Sequence, residues 1–133
     1  MATSRILISK LRRLFEDRPE VSMVFLFGSA SRGKSIPESD VDVGIWFMDG
    51  YPRDEVERLW AEIEHACGRN VDLVVLNDAR PAIAWAAMRG HRLKIASYGF
   101  FIQKMLEISD EAEFMQDFTL DLYAMRRKWR ESS

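Results

Sequence analysis

Asp40 and Asp42 stand two residues apart at the head of an apolar run, Asp-Val-Asp-Val-Gly-Ile-Trp-Phe. Side chains on a strand alternate between faces, so this spacing directs both carboxylates to one side. Two anionic oxygen groups on one face suit a hard divalent cation, and Mg²⁺ commonly links one or two carboxylates to substrate phosphates. Upstream, another apolar run ends in Gly28-Ser29, a turn where bare backbone N–H groups can meet phosphate oxygens. These residue types in this order predict a metal-dependent enzyme acting on a nucleoside triphosphate.

The elements that must position them can be read from periodicity. Ser4 to Asp17 reads as a helix with Leu7, Leu11, Leu14 and Phe15 on one face, stopped by Pro19. Val21 to Phe27 reads as a buried strand ending at Gly28. A helical turn over Ser29–Gly33 and a loop over Lys34–Ser39 lead to a second strand, Val41–Phe47. Pro52–Cys67 is a predicted helix with Val56, Leu59, Trp60, Ile63 and Ala66 as its stripe and Gly68 as its cap. Val71–Leu76 is a third strand, apolar on both faces except for Asp72. A helix between two strands is a crossover, which favours a parallel pair.

Asp78 is the expected cap of the next helix, with Pro81 in its first turn, Gly90 past its end, and Ile83, Trp85, Ala86 and Met88 as packing groups. Arg92–Ser97 reads as a short edge strand. Tyr98 to Arg130 is helical in character, with a break expected near Ser109-Asp110. Acidic residues open its last helix and basic ones close it, an order that fits the helix dipole. Trp46, Trp60 and Trp85 read as core groups, and Trp129 as packing or a partner contact.

Composition bounds these readings. A chain of 133 residues with 47% hydrophobic and 30% charged residues is expected to form one domain. That domain is expected to comprise a core over about residues 1–97 and a helical segment over about 98–131. The net charge of −2 argues against a field for long nucleic acids. Cys67 is the single cysteine, so no internal disulfide can form. No apolar run reaches the ~18 residues of a membrane span, and the N-terminus lacks the apolar centre of a signal peptide. A cytoplasmic location is expected. His65 and His91 lack metal-ligand spacing.

The glycine loop has two readings. Gly28-Ser-Ala-Ser-Arg-Gly33-Lys34-Ser35 matches the P-loop pattern, which would suggest a phosphohydrolase or kinase. That motif requires a long helix starting at the Lys-Ser pair. Here Pro37 follows, and a strand begins near Asp40. The other reading joins Gly28-Ser29, Asp40-x-Asp42 and Asp72. In this combination the chain resembles the DNA polymerase beta-like nucleotidyltransferase superfamily. The stretch GSASRG…PESDVDV is most similar to the minimal nucleotidyltransferases, small proteins often paired as antitoxins with HEPN-domain toxins. The likeness runs from Val21 to Leu76 in motif. It departs at Ala30 and Ser31, where the family often places Arg-Ala, so one basic side chain is absent while Arg32 remains.

The resemblance implies an α/β fold, a small mixed sheet flanked by helices, with C-terminal helices. It implies transfer of AMP from ATP with two Mg²⁺ ions, which can stabilise both the attacking and the leaving oxygen. Asp40 and Asp42 would be bridging metal ligands. Asp72 would be a third ligand or a base for the acceptor's proton; a buried carboxylate needs such a partner, the alternative being a pair with an arginine such as Arg69 or plain exposure at the strand's start. Gly28 and Ser29 would meet the β- and γ-phosphates, and Arg32 would pair with phosphate or remain a loop charge. Lys34 could replace the missing arginine. The acceptor would be a tyrosine of a HEPN-type toxin, making this chain an antitoxin. So small a chain leaves little room for a separate substrate domain, and a protein partner would complete the site. Two other functions stay open: adenylylation of a small molecule such as an aminoglycoside, and a non-catalytic module that neutralises a partner by occlusion.

Overall fold

The computed structural model describes residues 2–28 and 41–113. Helix α1 (Ala2–Glu16) leads into strand β1 (Val21–Phe27), and β2 (Val41–Phe47) follows. Then come α2 (Arg53–Cys67), β3 (Val71–Val75), α3 (Pro81–Met88), β4 (His91–Ile95) and α4 (Tyr98–Glu113). The sheet order is β3-β2-β1-β4. β1 is antiparallel to both neighbours, and β2 runs parallel to β3 across the α2 crossover. The architecture is the expected small mixed sheet flanked by helices.

Alternation divides the core into two layers. Val24 and Leu26 of β1, the odd-numbered residues of β2, and Val71 and Leu73 pack under α1 and α2. On α1 the buried positions are Leu7, Leu11 and Phe15, one face of a 3.6-residue period. Met23 and Phe25 point the other way, against Ala84, Ala87 and Met88 of α3 and Phe101 and Ile108 of α4. β1 is central, so Val21 to Leu26 are buried on both faces. Gly44 sets the spacing of the second layer. A Cβ there would lie 3.1 Å from the Ala87 methyl and 3.3 Å from Leu76, so α3 sits tightly on β2.

Several boundaries differ from the sequence expectations. β3 ends at Val75, and Leu76–Asp78 forms a 3₁₀ turn that buries Leu76. The reason lies in Asn77, whose Oδ1 accepts from the Phe47 N–H while its Nδ2 donates to the Phe47 carbonyl, both at 2.9 Å. One side-chain amide thus satisfies the end of β2 where β3 has turned away. Asp78 lies in that turn and does not cap α3; Arg80 holds the cap position without a side-chain bond, and Pro81 opens the helix. Ile83 is exposed rather than packed, because α3 turns its small residues to the sheet. α4 runs unbroken through Ser109-Asp110: Ser109 Oγ donates to the Leu106 carbonyl at 3.0 Å, and Ile108 is anchored in the core. The edge strand spans His91–Ile95, one residue earlier at its start than expected. The three tryptophans read as core are half-buried, Trp60 against one layer and Trp46 and Trp85 against the other. The Ser29–Gly33 turn, the Lys34–Ser39 loop, Lys34, Trp129 and the helical segment past Glu113 lie outside the described residues. No helix among the described residues is long and apolar enough to cross a membrane.

α1 is latched to β4 by Arg12. Its Nη2 lies 3.3 Å from His91 Nε2 and 3.2 Å from the Arg92 carbonyl. Arginine is always a donor, so His91 Nε2 accepts and the ring is neutral with its proton on Nδ1. Burial, and then the Arg12 charge, lower the His91 pKa.

Two outcomes follow from these contacts. Asn77→Ala leaves both Phe47 backbone groups without their partner and is expected to lower unfolding free energy by about 1–3 kcal/mol, read from urea denaturation. His91 binds its proton less readily folded than unfolded, so its contribution is full above the unfolded value of about 6.5. The contribution is lost as pH falls through the lowered native pKa. Urea midpoints should therefore decline below pH 6.5, and His91→Gln, whose amide oxygen can still accept from Arg12, should flatten that decline.

Candidate active site

The pairing of β2 with β3 places two acids side by side. Asp42 is the register partner of Asp72, on adjacent parallel strands about 4.8 Å apart. Each is the second residue of its strand, and the Val41 N–H donates to the Asn70 carbonyl at 3.1 Å, which joins the two strand starts. Both carboxylates fall on the sheet face that carries Gly44, Trp46 and Val74, the face covered by α3 and α4 farther along. Among the described residues, the acids themselves lie at the uncovered end of that face. Asp42 is half-buried and Asp72 is exposed. Asp72 was expected to need a partner because of burial in an apolar strand. It lies on an edge strand and faces solvent, so that reason falls away and only its placement beside Asp42 remains.

β1 delivers Gly28 to the same end. Phe27 is the register partner of Asp42, and Gly28 follows with φ +75°, in the left-handed region. A Cβ at Gly28 would overlap Asp42 Oδ2 and lie 3.2 Å from its Cγ. Glycine is therefore required twice, by backbone conformation and by the carboxylate lying directly over its Cα. Gly28, Asp42 and Asp72 thus converge on one end of the sheet. Ser29, Arg32 and Asp40, the other expected site residues, lie outside the described residues. Among the described residues no cluster of three or more His, Cys, Asp or Glu side chains forms a metal cage. The oxygen donors of Asp42 and Asp72, side by side and reachable from solvent, nevertheless fit a hard cation shared with phosphate oxygens.

Gly90 was expected only to follow α3. It also buttresses this end, because a Cβ there would lie 2.5 Å from the Leu26 carbonyl and 2.8 Å from Phe27 Cβ. The sequence signal for this was limited to a glycine between a helix and a strand. Burial pushes the Cys67 thiol up to about 11, which favours its protonated, less nucleophilic form at neutral pH.

The family described as polymerase beta nucleotidyltransferase matches residues 9–97, which include all of this geometry. The chain belongs to that family. A nucleotidyltransferase relative, MJ1379 of Methanocaldococcus jannaschii, provisionally named a protein adenylyltransferase, is 33% identical over 70 residues. The match covers 51% of this chain and 70% of that protein. Among solved structures, a toxin–antitoxin complex with AMP-PNP is similar with a TM-score of 0.71 and 20% identity, over 90% of this chain and 98% of that one. A tri-AMPylated HEPN toxin of Shewanella oneidensis in complex with MNT antitoxin gives a TM-score of 0.67 and 17% identity, over 93% and 98% of the two chains. These structures share the nucleotidyltransferase fold.

Gly28→Ala tests the convergence. The methyl group must displace the Asp42 carboxylate, and an ångström-scale misplacement costs roughly 10²-fold in rate. The expected outcome is that loss in nucleotidyl transfer with an unchanged far-ultraviolet circular dichroism spectrum.

Proposed function

We propose that this nucleotidyltransferase moves AMP from ATP onto a tyrosine hydroxyl of a HEPN-type partner protein and so acts as an antitoxin. The observation that carries the reading is the juxtaposition of Asp42 and Asp72 across parallel strands, with Gly28 directly under the Asp42 carboxylate. Asp42 and Asp72, with Asp40 two residues before Asp42, would hold Mg²⁺. When bound, two such ions would stabilise the attacking and leaving oxygens of an in-line displacement.

The chain's own part is placement. The Gly28 turn lets the triphosphate approach the backbone, with Ser29 offering an N–H and a hydroxyl and Arg32 a positive charge. The acceptor oxygen attacks the α-phosphorus, the bond to the bridging oxygen of pyrophosphate breaks, and the acceptor's proton leaves. Asp72, exposed on the edge strand, would serve there as a metal ligand or else as the base that takes that proton. Exposure of this acid suits an acceptor brought by another molecule. The protein adenylyltransferase name of the relative, the AMP-PNP complex and the AMPylated HEPN toxin support the choice of adenylyl group and acceptor.

The test compares ATP labelled at the α-phosphorus with ATP labelled at the γ-phosphorus, in a lysate of the source organism with Mg²⁺. The expected result is stable α-label on a protein, sensitive to chelator. Asp42→Asn should reduce it beyond the roughly 100-fold that loss of an outer-sphere partner causes. α-Label on small molecules alone would overturn the protein acceptor, and γ-label on protein would overturn nucleotidyl transfer.

A further inference from the structure

Among the described residues β3 is an edge strand, yet its start is held on both sides. The Asn70 carbonyl accepts from Val41, so the Val71 N–H and C=O point away from β2, toward the unpaired edge. Two side chains of α2 meet them there. Trp60 Nε1 donates to the Val71 carbonyl at 2.8 Å, and Glu64 Oε2 accepts from the Val71 N–H at 3.0 Å. Trp60 and Glu64 are four apart and share a face of α2. They occupy the two hydrogen-bonding positions that a fifth strand would fill.

The clamp is itself braced. Leu59 and Ile63 of α2 are buried in the core. The Glu64 carbonyl accepts the Gly68 N–H at 2.9 Å, closing the end of the helix with Gly68 at φ +68°. Glu64 therefore ties the helix end to the strand start through its backbone and its carboxylate together. The residue that follows Val71 is Asp72.

We propose that Trp60 and Glu64 are positioning residues for nucleotidyl transfer, clamping Val71 so that the Asp72 carboxylate is held at a fixed distance from Asp42. An edge strand bonded on one side can slide and twist, which would move its acid against the paired one. Gripping both backbone groups of Val71 removes that freedom at the one end of β3 where it matters. This inference rests on the reading of Asp72 as a ligand or base.

The experiment uses Trp60→Phe, Glu64→Ala, Glu64→Gln and Asp72→Asn. Each is measured for kcat, for the KM of ATP, for Mn²⁺ affinity by titration calorimetry without turnover, and for urea stability. Trp60→Phe and Glu64→Ala are expected to lower kcat and Mn²⁺ affinity by about 10-fold or more, as loss of an outer-sphere contact does, with the KM for ATP little changed. Glu64→Gln, which keeps an oxygen to accept the Val71 N–H, should stay close to wild type. Clamp variants that lose stability but keep wild-type kcat and Mn²⁺ affinity overturn the proposal, as does a Glu64→Gln no better than Glu64→Ala. If Glu64→Ala does not fold, Trp60→Phe decides alone. If Asp72→Asn keeps full activity, the assignment of Asp72 fails and the clamp's role with it. If Asp72→Asn is inactive while the clamp variants are not, the clamp alone fails.

Discussion

Parallel pairing of β2 with β3 is the constraint on which the site depends. It sets Asp42 opposite Asp72. The arrangement persists because backbone hydrogen bonds and the apolar residues on the opposite face hold the strands in register. Val41, Val43, Val71 and Leu73 are all buried beneath α1 and α2. A slip of one residue would expose them and turn Asp72 into the core, so hydrophobic burial on one face fixes electrostatics on the other.

The same division of labour runs through the molecule. The α1–α2 layer is built of large side chains and anchors the sheet. Among the described residues, the α3–α4 layer covers the face of Asp42 and Asp72 only in part. It comes close to the sheet because Gly44 and Ala87 are small where they meet. Farther along, Trp46 packs edge-on against Phe100 at 5.7 Å. The open end beyond them is where Gly28, Asp42 and Asp72 are gathered.

Much of this was legible in the sequence. A near-continuous apolar run marked β1, alternation marked β2, and the helix between β2 and β3 implied their parallel pairing. The family motif drew attention to Gly28, Asp42 and Asp72. What could not be read depends on contacts between distant segments. Strand order follows from the β1–β4 pairing, for which no local pattern exists. The 3₁₀ turn at Leu76–Asp78 depends on Asn77 meeting Phe47, 30 residues away. Asp72 looked buried because its strand neighbours are apolar, but an edge strand leaves one end of a face open. The expected break at Ser109-Asp110 came from local propensity, which the packing of Ile108 outweighs.

The position of β1 also has a bearing on the order of assembly. This strand lies at the centre of the sheet, yet one of its two neighbours is β4, which ends at Ile95. Arg12 finds its partner 79 residues later, at His91. Contacts of such long sequence separation carry a loop-closure cost and form slowly. β2, α2 and β3, by contrast, are contiguous and pair across a short crossover. During synthesis, β1 must therefore remain half-satisfied until β4 leaves the ribosome, so the strand that ends in Gly28 is completed after the two that carry the acids.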